Sequence, residues 1–215
     1  MSNMEQRSAL PIARSLQKGW TLPDVYQITP DPGEAPDVER FLSELTETLR
    51  SGIQLVQLRT KRLAKREHLE IAQRTLALCR LSGAQLILNG PIEMAMEIGC
   101  DGVHLSSDTL MSLTARPASS SLLISAACHS AAQLAQAARI QVDFVTLSPV
   151  LPTKTHPDAA PLGWQRFEEL VSDAEVPVFA LGGMNPGMLD QAKALGAYGV
   201  AAISATWRHQ GPVPA

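Results

Sequence analysis

The chain has 215 residues, 45% of them apolar, and a formal net charge of −3. That is enough for one domain with a sizeable core, and it leaves no strongly basic face, so nucleic acid is not expected as a partner. No run of about 18 apolar residues argues for a membrane span, the N-terminal MSNMEQRSALPIARS has no apolar core of signal-peptide length, and Cys79, Cys100 and Cys128 have no CxxC spacing, which together point to a cytoplasmic protein with reduced thiols.

Residues 1–22 stand apart from the later pattern and read as an N-terminal arm or helix packed on the rest; residues 23–208 carry a regular alternation, and 209–215 a tail. Val25 to Thr29 is a strand rich in β formers, and Asp37 caps a helix to Arg50 with Phe41, Leu45 and Leu49 on one face. Ile53 to Leu58 is the second strand, followed by a helix from about Ala64 to Leu81 that closes at Gly83. Gln85 to Leu88 is the third strand, with Pro91 opening a helix to Ile98. Val103 to Leu105 is the fourth, followed by a short helical segment from Ser107 to Leu113. Leu122 to Cys128 is the fifth, with an Ala-rich helix from Ser130 to Arg139 behind it. Phe144 to Leu147 is the sixth, and the long loop SPVLPTKTHPDAAPLG leads to a helix from Trp164 to Val171.

The stretch from Val176 to Ser204 reads as strand, glycine loop, helix and strand. Val178 to Leu181 is apolar, Gly182 and Gly183 let the backbone turn and approach a ligand, and Asn185 and Pro186 suit the N-cap and first position of a helix. Gly196 ends that helix, and Gly199 to Ile203 is the eighth strand, with a final helix expected from about Ala205. Strands alternating with helices predict an α/β fold, a single-domain (β/α)8 TIM barrel, with a doubly wound open sheet as the alternative. No GxGxxG follows the first strand, which weakens a dinucleotide-binding version of the open sheet.

A TIM barrel carries its active site at the C-terminal ends of its strands, often with a phosphate held after strands seven and eight. The residues at those ends are Gln57, Arg59, Thr60 and Lys61, then Asn89, then His104, Ser106, Ser107 and Asp108. Further round come Cys128 and His129, Ser148, Thr153, Lys154, Thr155 and His156, and last Gly182, Gly183 and Ser204. Arg59 and Lys61 share one face of a strand end with Gln57 and face an anion better than they face solvent. His104 reads as a hydrogen-bonded core histidine. His129 ends the fifth strand, and the titration range of histidine suits moving a proton. His156 divides between phosphate contact and exposure. Cys128 reads as a buried thiol, because adjacent strand residues point to opposite faces, and His68 and His209 read as surface residues.

These segments resemble those of the thiamine phosphate synthase/TenI (thiazole tautomerase) family: VQLRTK (56–61), LILNG (86–90), DGVHL (101–105), ACHS (127–130), SPVLPTKTHP (148–157), ALGGM (180–184) and AAIS (201–204) fall in that family's order. The likeness is closer still to synthase-like barrel domains fused behind Nudix hydrolases. The resemblance implies a phosphorylated thiazole or related small phosphate as ligand, with Gln57, Arg59, Lys61, Asn89, Thr153, Thr155, His156, Gly182, Gly183 and Ser204 contacting substrate. It implies His129 as the proton-transfer residue of TenI-type chemistry. A homo-oligomer stays open.

The synthase joins a pyrimidine diphosphate to a thiazole phosphate and expels pyrophosphate, which in that family needs Mg²⁺. The family's two Asp ligands fall here on Gly90 and on Thr109, beside Asp108; its diphosphate-binding Lys falls on His156 and a Ser on Ala127. The resemblance therefore implies a retained thiazole-phosphate half and an eroded diphosphate and metal half. No cofactor and no metal ligand are expected, with Mg²⁺ only under the synthase reading. An active synthase, a TenI-like tautomerase and a non-catalytic phosphate-ligand sensor are the functions left to separate.

Overall fold

A computed structural model describes residues 21–34, 37–60, 63–117, 122–153 and 159–208 of the chain. The eight strands are β1 (Val25–Ile28), β2 (Leu55–Arg59), β3 (Gln85–Asn89), β4 (Gly102–Leu105), β5 (Leu123–Cys128), β6 (Phe144–Leu147), β7 (Val178–Ala180) and β8 (Gly199–Ala202). They close in sequence order into a parallel barrel, with β8 pairing β1. Outside it lie α1 (Val38–Arg50), α2 (Lys65–Leu81), α3 (Ile92–Ile98), α4 (Ser107–Ser112), α5 (Ala131–Arg139), α6 (Gly163–Ser172) and α7 (Leu189–Ala194). Local chemistry starts these helices where the sequence predicts. Asp37 accepts from the Arg40 N–H, Ser106 from Thr109, Ser130 from Gln133, and Asn185 from Gly187 ahead of a 3-10 turn at Pro186–Met188.

Strand alternation sorts the side chains into two cores. One parity faces the helices and fills the outer shell; Cys128 belongs there, and burial pushes its thiol up to about 12. The other parity fills the barrel: Tyr26, Leu55, Ile87, Leu123, Phe144, Phe179 and Ala201 form a separate cluster. Its aromatic rings meet edge-on or tilted, with centroids 5.4 Å apart for Tyr26–Phe144 and 5.5 Å for Phe144–Phe179. This plug closes the lower end of the barrel and leaves the C-terminal strand ends as the open mouth.

Two departures from the sequence reading are clear. The helix expected from Ala205 is absent among the described residues: the chain turns at 204–206, and Trp207 stacks on Phe41 of α1 and donates to Glu44 Oε2 at 2.8 Å. A buried indole with a paired N–H satisfies that segment without a further helix. His68 is also no surface residue; it is buried in α2, its Nε2 has no partner among the described residues, and burial holds its pKa below the usual imidazole range. The proposed arm (apart from Thr21 and Leu22), His209 and the tail lie outside the described residues. Among the described residues no helix is long and apolar enough to cross a membrane.

Carboxylates clasp neighbouring strands at the lower rim. Asp101, just before β4, accepts from the Leu86 N–H at 2.8 Å, and Asp143, just before β6, accepts from the Ile124 N–H at 2.7 Å. Asp143 is fully buried and also takes Arg116 Nη2 at 2.7 Å. Asp143→Ala would strand the Ile124 N–H and Arg116, so a loss of about 2–4 kcal/mol in unfolding free energy is expected from denaturant titration; Asp101→Ala, with the less buried carboxyl, should cost less.

Candidate functional site

The mouth holds a cavity of about 640 Å³ whose lining comes from most of the strand ends. β2 contributes Gln57 and Arg59, β3 contributes Asn89, β4 His104, and the start of α4 contributes Asp108. β5 brings Ala127 and His129, β6 Thr146 and Ser148, and the loop beyond it Thr153. Ile28, Leu181 and Ile203 make an apolar wall. A few convergent polar groups on an apolar surface suit a small, partly polar ligand.

A second cavity of about 310 Å³ adjoins the first through Thr153, Leu181, Gly182 and Ile203, and adds Gly183 and Ser204. Gly182 and Gly183 have φ of +96° and +69°, in the left-handed region that favours glycine. Side chains there would also collide: a Cβ on Gly182 would lie 2.8 Å from Pro149 Cα, and one on Gly183 2.7 Å from Leu151 Cβ. The loops after β6 and β7 are laced together by Val150 N–H to Leu181 O at 2.8 Å and Leu151 N–H to Gly182 O at 3.0 Å. The glycines therefore serve the backbone packing and at the same time keep the Gly183 N–H, which has no protein acceptor among the described residues, on the small cavity.

The two histidines in the mouth differ in environment. His129 is exposed, and its Nδ1 lies 2.7 Å from the Ser148 carbonyl. A carbonyl only accepts, so Nδ1 carries the proton and the neutral ring offers Nε2 as a base. His104 is buried, with Nδ1 2.8 Å from Ser125 Oγ. Burial, and second the neighbouring His129, push its pKa down to about 3, so it is neutral at physiological pH. Beneath the mouth Gln57 Nε2 donates to the Tyr26 hydroxyl at 2.8 Å, and Asn89 Nδ2 donates to Gln57 Oε1 at 3.3 Å.

Gln57, Arg59, Asn89, His129, Thr153 and Gly182 thus meet in one cavity, and Gly183 and Ser204 lie on its neighbour. Lys61, Thr155 and His156 fall outside the described residues. Tyr26, Ser125 and Thr146 are additions. The alternation could have found the last two, since Ser125 stands four residues before His129 and Thr146 two before Ser148 on inward-facing strand positions.

The Mg²⁺ that the resemblance implies for a synthase needs carboxylates at the ends of β3 and β4. The donor set does not fit. Asp108 is the one carboxylate among the described residues lining the cavity, and these residues contain no group of three His, Cys, Asp or Glu able to hold a metal. Thr109 hydrogen-bonds Ser106, its Oγ1 2.9 Å from Oγ, and a Cβ on Gly90 would come within 3.1 Å of the buried His68 ring.

A family model described as "Thiamine monophosphate synthase" matches residues 25–206. A protein of Aquifex aeolicus named "Putative thiamine-phosphate synthase 2" is 33% identical over 183 residues, 85% of this chain and 97% of that one. A "Thiamine-phosphate synthase" of Synechococcus sp. (strain WH7803) is 34% identical over 186 residues, 86% of this chain but 53% of the longer relative. Among solved structures, thiamine phosphate pyrophosphorylase from Pyrococcus furiosus superposes with a TM-score of 0.68 at 26% identity, covering 85% of this chain and 86% of that one.

A neutral buried His104 carries a stability signature. Between its folded pKa of about 3 and the ordinary 6.5, the unfolded chain binds a proton that the native protein excludes. Stability is therefore undiminished above about pH 6.5 and falls as pH drops toward 3, by at most about 1.4 kcal/mol per pH unit for one proton. The difference between the pH–stability curves of the unaltered protein and His104→Gln, from denaturant titrations at pH 4 to 8, should slope in that direction; a flat difference would contradict the neutral imidazole.

Proposed function

The chain belongs to the thiamine monophosphate synthase family, and we propose that within it this protein binds a phosphorylated thiazole across the two adjoining cavities and moves a proton on it. The observation that carries this reading is the neighbourhood of a phosphate-sized pocket and an oriented base. Thr153, Gly182, Gly183 and Ser204 line the small cavity, which shares a wall with the one holding His129. The Gly183 N–H and the two hydroxyls suit phosphate oxygens, since backbone donors in a glycine turn bind anions without a full positive charge. His129, with its Nδ1–H committed to Ser148, takes a proton from one carbon of the ligand on Nε2 and returns it to another. No group leaves, so the isomerisation balances with no metal. Arg59 stands at the mouth as a further anion partner.

A second reading, a slow synthase, is favoured by the names of the relatives. It draws on the same phosphate cavity but has to stabilise a departing diphosphate with one carboxylate, Asp108, in the described lining. Each 1.36 kcal/mol lost from that stabilisation is a factor of ten in rate.

Calorimetry with the thiazole phosphate and the purified protein should give saturable binding, weakened about tenfold by Ser204→Ala. In D₂O, NMR should follow deuterium entering the ligand. His129→Asn should leave affinity within about threefold and slow the exchange by about 10²-fold or more. Given both synthase substrates and Mg²⁺, the unaltered protein should form thiamine phosphate very slowly, and Gly90→Asp with Thr109→Asp should raise that rate, provided the His68 ring yields a few tenths of an ångström. Fast thiamine phosphate formation by the unaltered protein, or no binding of the thiazole phosphate, would overturn the reading.

A further inference from the structure

The floor of the large cavity is a line of hydrogen bonds that crosses the barrel from β3 to β4. Asn89 Nδ2 donates to Gln57 Oε1 at 3.3 Å, and Gln57 Nε2 donates to the Tyr26 oxygen at 2.8 Å. The Tyr26 hydroxyl also pairs with Ser125. Since its oxygen already receives the Gln57 N–H, its own proton goes to Ser125 Oγ. The Ser125 proton then has two acceptors in reach, His104 Nδ1 at 2.8 Å and the Val103 carbonyl at 3.4 Å. The contact with Nδ1 is the shorter of the two, and the direction developed below is the one in which the Ser125 proton follows it. In that direction His104 Nδ1 accepts, and the ring proton sits on Nε2. That nitrogen has no protein partner among the described residues, and the ring lines the cavity.

A second feature of the same floor is unpaired. Thr146 is 1% exposed and lines the cavity, yet its Oγ1 has no hydrogen-bond partner among the described residues. A buried hydroxyl without a partner costs about 1–3 kcal/mol unless a ligand or water fills the place. Apolar Ile28, Ala127, Leu181 and Ile203 complete this part of the wall.

We propose that His104 is a specificity-determining residue, whose Nε2–H donates a hydrogen bond to an acceptor atom on the inward edge of a neutral heteroaromatic ring. Ser125 and Tyr26 are positioning residues that hold the imidazole in this tautomer. The proposal deepens the small-ligand reading above and rests on it for the location of the site. A ring nitrogen in its unprotonated form is the fitting acceptor. A protonated ring would face an N–H donor with its own N–H and be rejected, which selects neutral azoles and azines over their cations. The imidazole meets this need because its pKa lies far below physiological pH, so it donates without bringing a charge into the barrel.

Two kinds of measurement test this. In protein labelled with ¹⁵N histidine, the His104 shifts should report a pyridine-like Nδ1 and a pyrrole-like Nε2 from pH 5 to 9, and Ser125→Ala should let the two tautomers mix. Pyrrole-like Nδ1 would mean that the hydrogen bonds run the other way, and would overturn the proposal. For binding, calorimetry compares the thiazole phosphate with its thiophene isostere, which lacks the ring nitrogen, and a hydroxymethylpyrimidine phosphate with its benzene isostere. The unaltered protein should prefer one heterocycle over its isostere by roughly tenfold, and His104→Phe should abolish that preference while leaving isostere binding unchanged. A purely structural role for His104 would weaken both members of a pair alike and would overturn the proposal; should His104→Phe not fold, Ser125→Ala must reduce the same ratio. Preference within the pyrimidine pair alone would uphold the role of His104 while removing the thiazole assignment made above. Preference within neither pair would overturn the role of His104 even where thiazole phosphate binds.

Discussion

Everything at the mouth of this barrel rests on how its lower end is filled. A closed parallel barrel has one interior parity, and here that parity puts Tyr26, Phe144 and Phe179 in mutual contact with Leu55, Ile87 and Leu123. Tyr26 is the joint between that apolar plug and the polar layer above. Its ring packs edge-on against Phe144, while its hydroxyl, fully buried, has to find partners and does so with Gln57 and Ser125. Burial drives the phenol pKa upward, so the group stays neutral and serves as donor and acceptor at once. A Phe in its place would keep the packing and leave Gln57 without that acceptor and Ser125 without that partner.

The barrel was legible in the sequence because every strand is a short apolar run closed by a turn or cap, and caps such as Asp37, Ser130 and Asn185 act on the backbone next to them. Inward-facing strand ends were legible for the same local reason, and Gln57, Arg59, Asn89 and His129 do meet. What escaped depends on contacts between distant segments. Trp207 settles on α1 because Glu44 and Phe41 receive it, 163 residues away in the case of Glu44. His68 looks like a polar residue on an amphipathic helix, and only the closed barrel buries it behind Gly90. The Tyr26–Ser125–His104 chain joins three strands, so no local pattern announces it.

The two sides of the mouth also differ in how easily each could change. At the end of β7, Gly182 and Gly183 are fixed twice over, by left-handed φ and by the loop after β6 pressing on them, so replacing either would disturb the backbone as well as the small cavity. At the end of β3 nothing comparable holds Gly90. Its φ lies outside the left-handed region, and the nearest obstacle to a side chain is the His68 ring at 3.1 Å. A side chain there needs one neighbouring side chain to give by a few tenths of an ångström, with no change in the fold. The buried His68, with Nε2 unpaired among the described residues and Asp31 acting on it through charge, lies next to where that side chain would stand.

The two histidines then divide the mouth between them by depth. His129 sits at the rim, where its partner is a backbone carbonyl that can only accept, so the tautomer of the neutral ring follows from one contact and leaves Nε2 as an acceptor on the cavity. His104 sits one layer lower, where its partner is a hydroxyl that can do either, and its tautomer is decided three side chains away by which end of the Gln57 amide faces Tyr26. With the amide nitrogen turned to Tyr26 and the amide oxygen taking Asn89 Nδ2, the deeper ring becomes the donor in the proposed relay. One cavity thus offers a ligand an acceptor at its rim and an uncharged donor on its floor. A neutral ring that gives up a proton at one edge while being held by a lone pair at the other meets both.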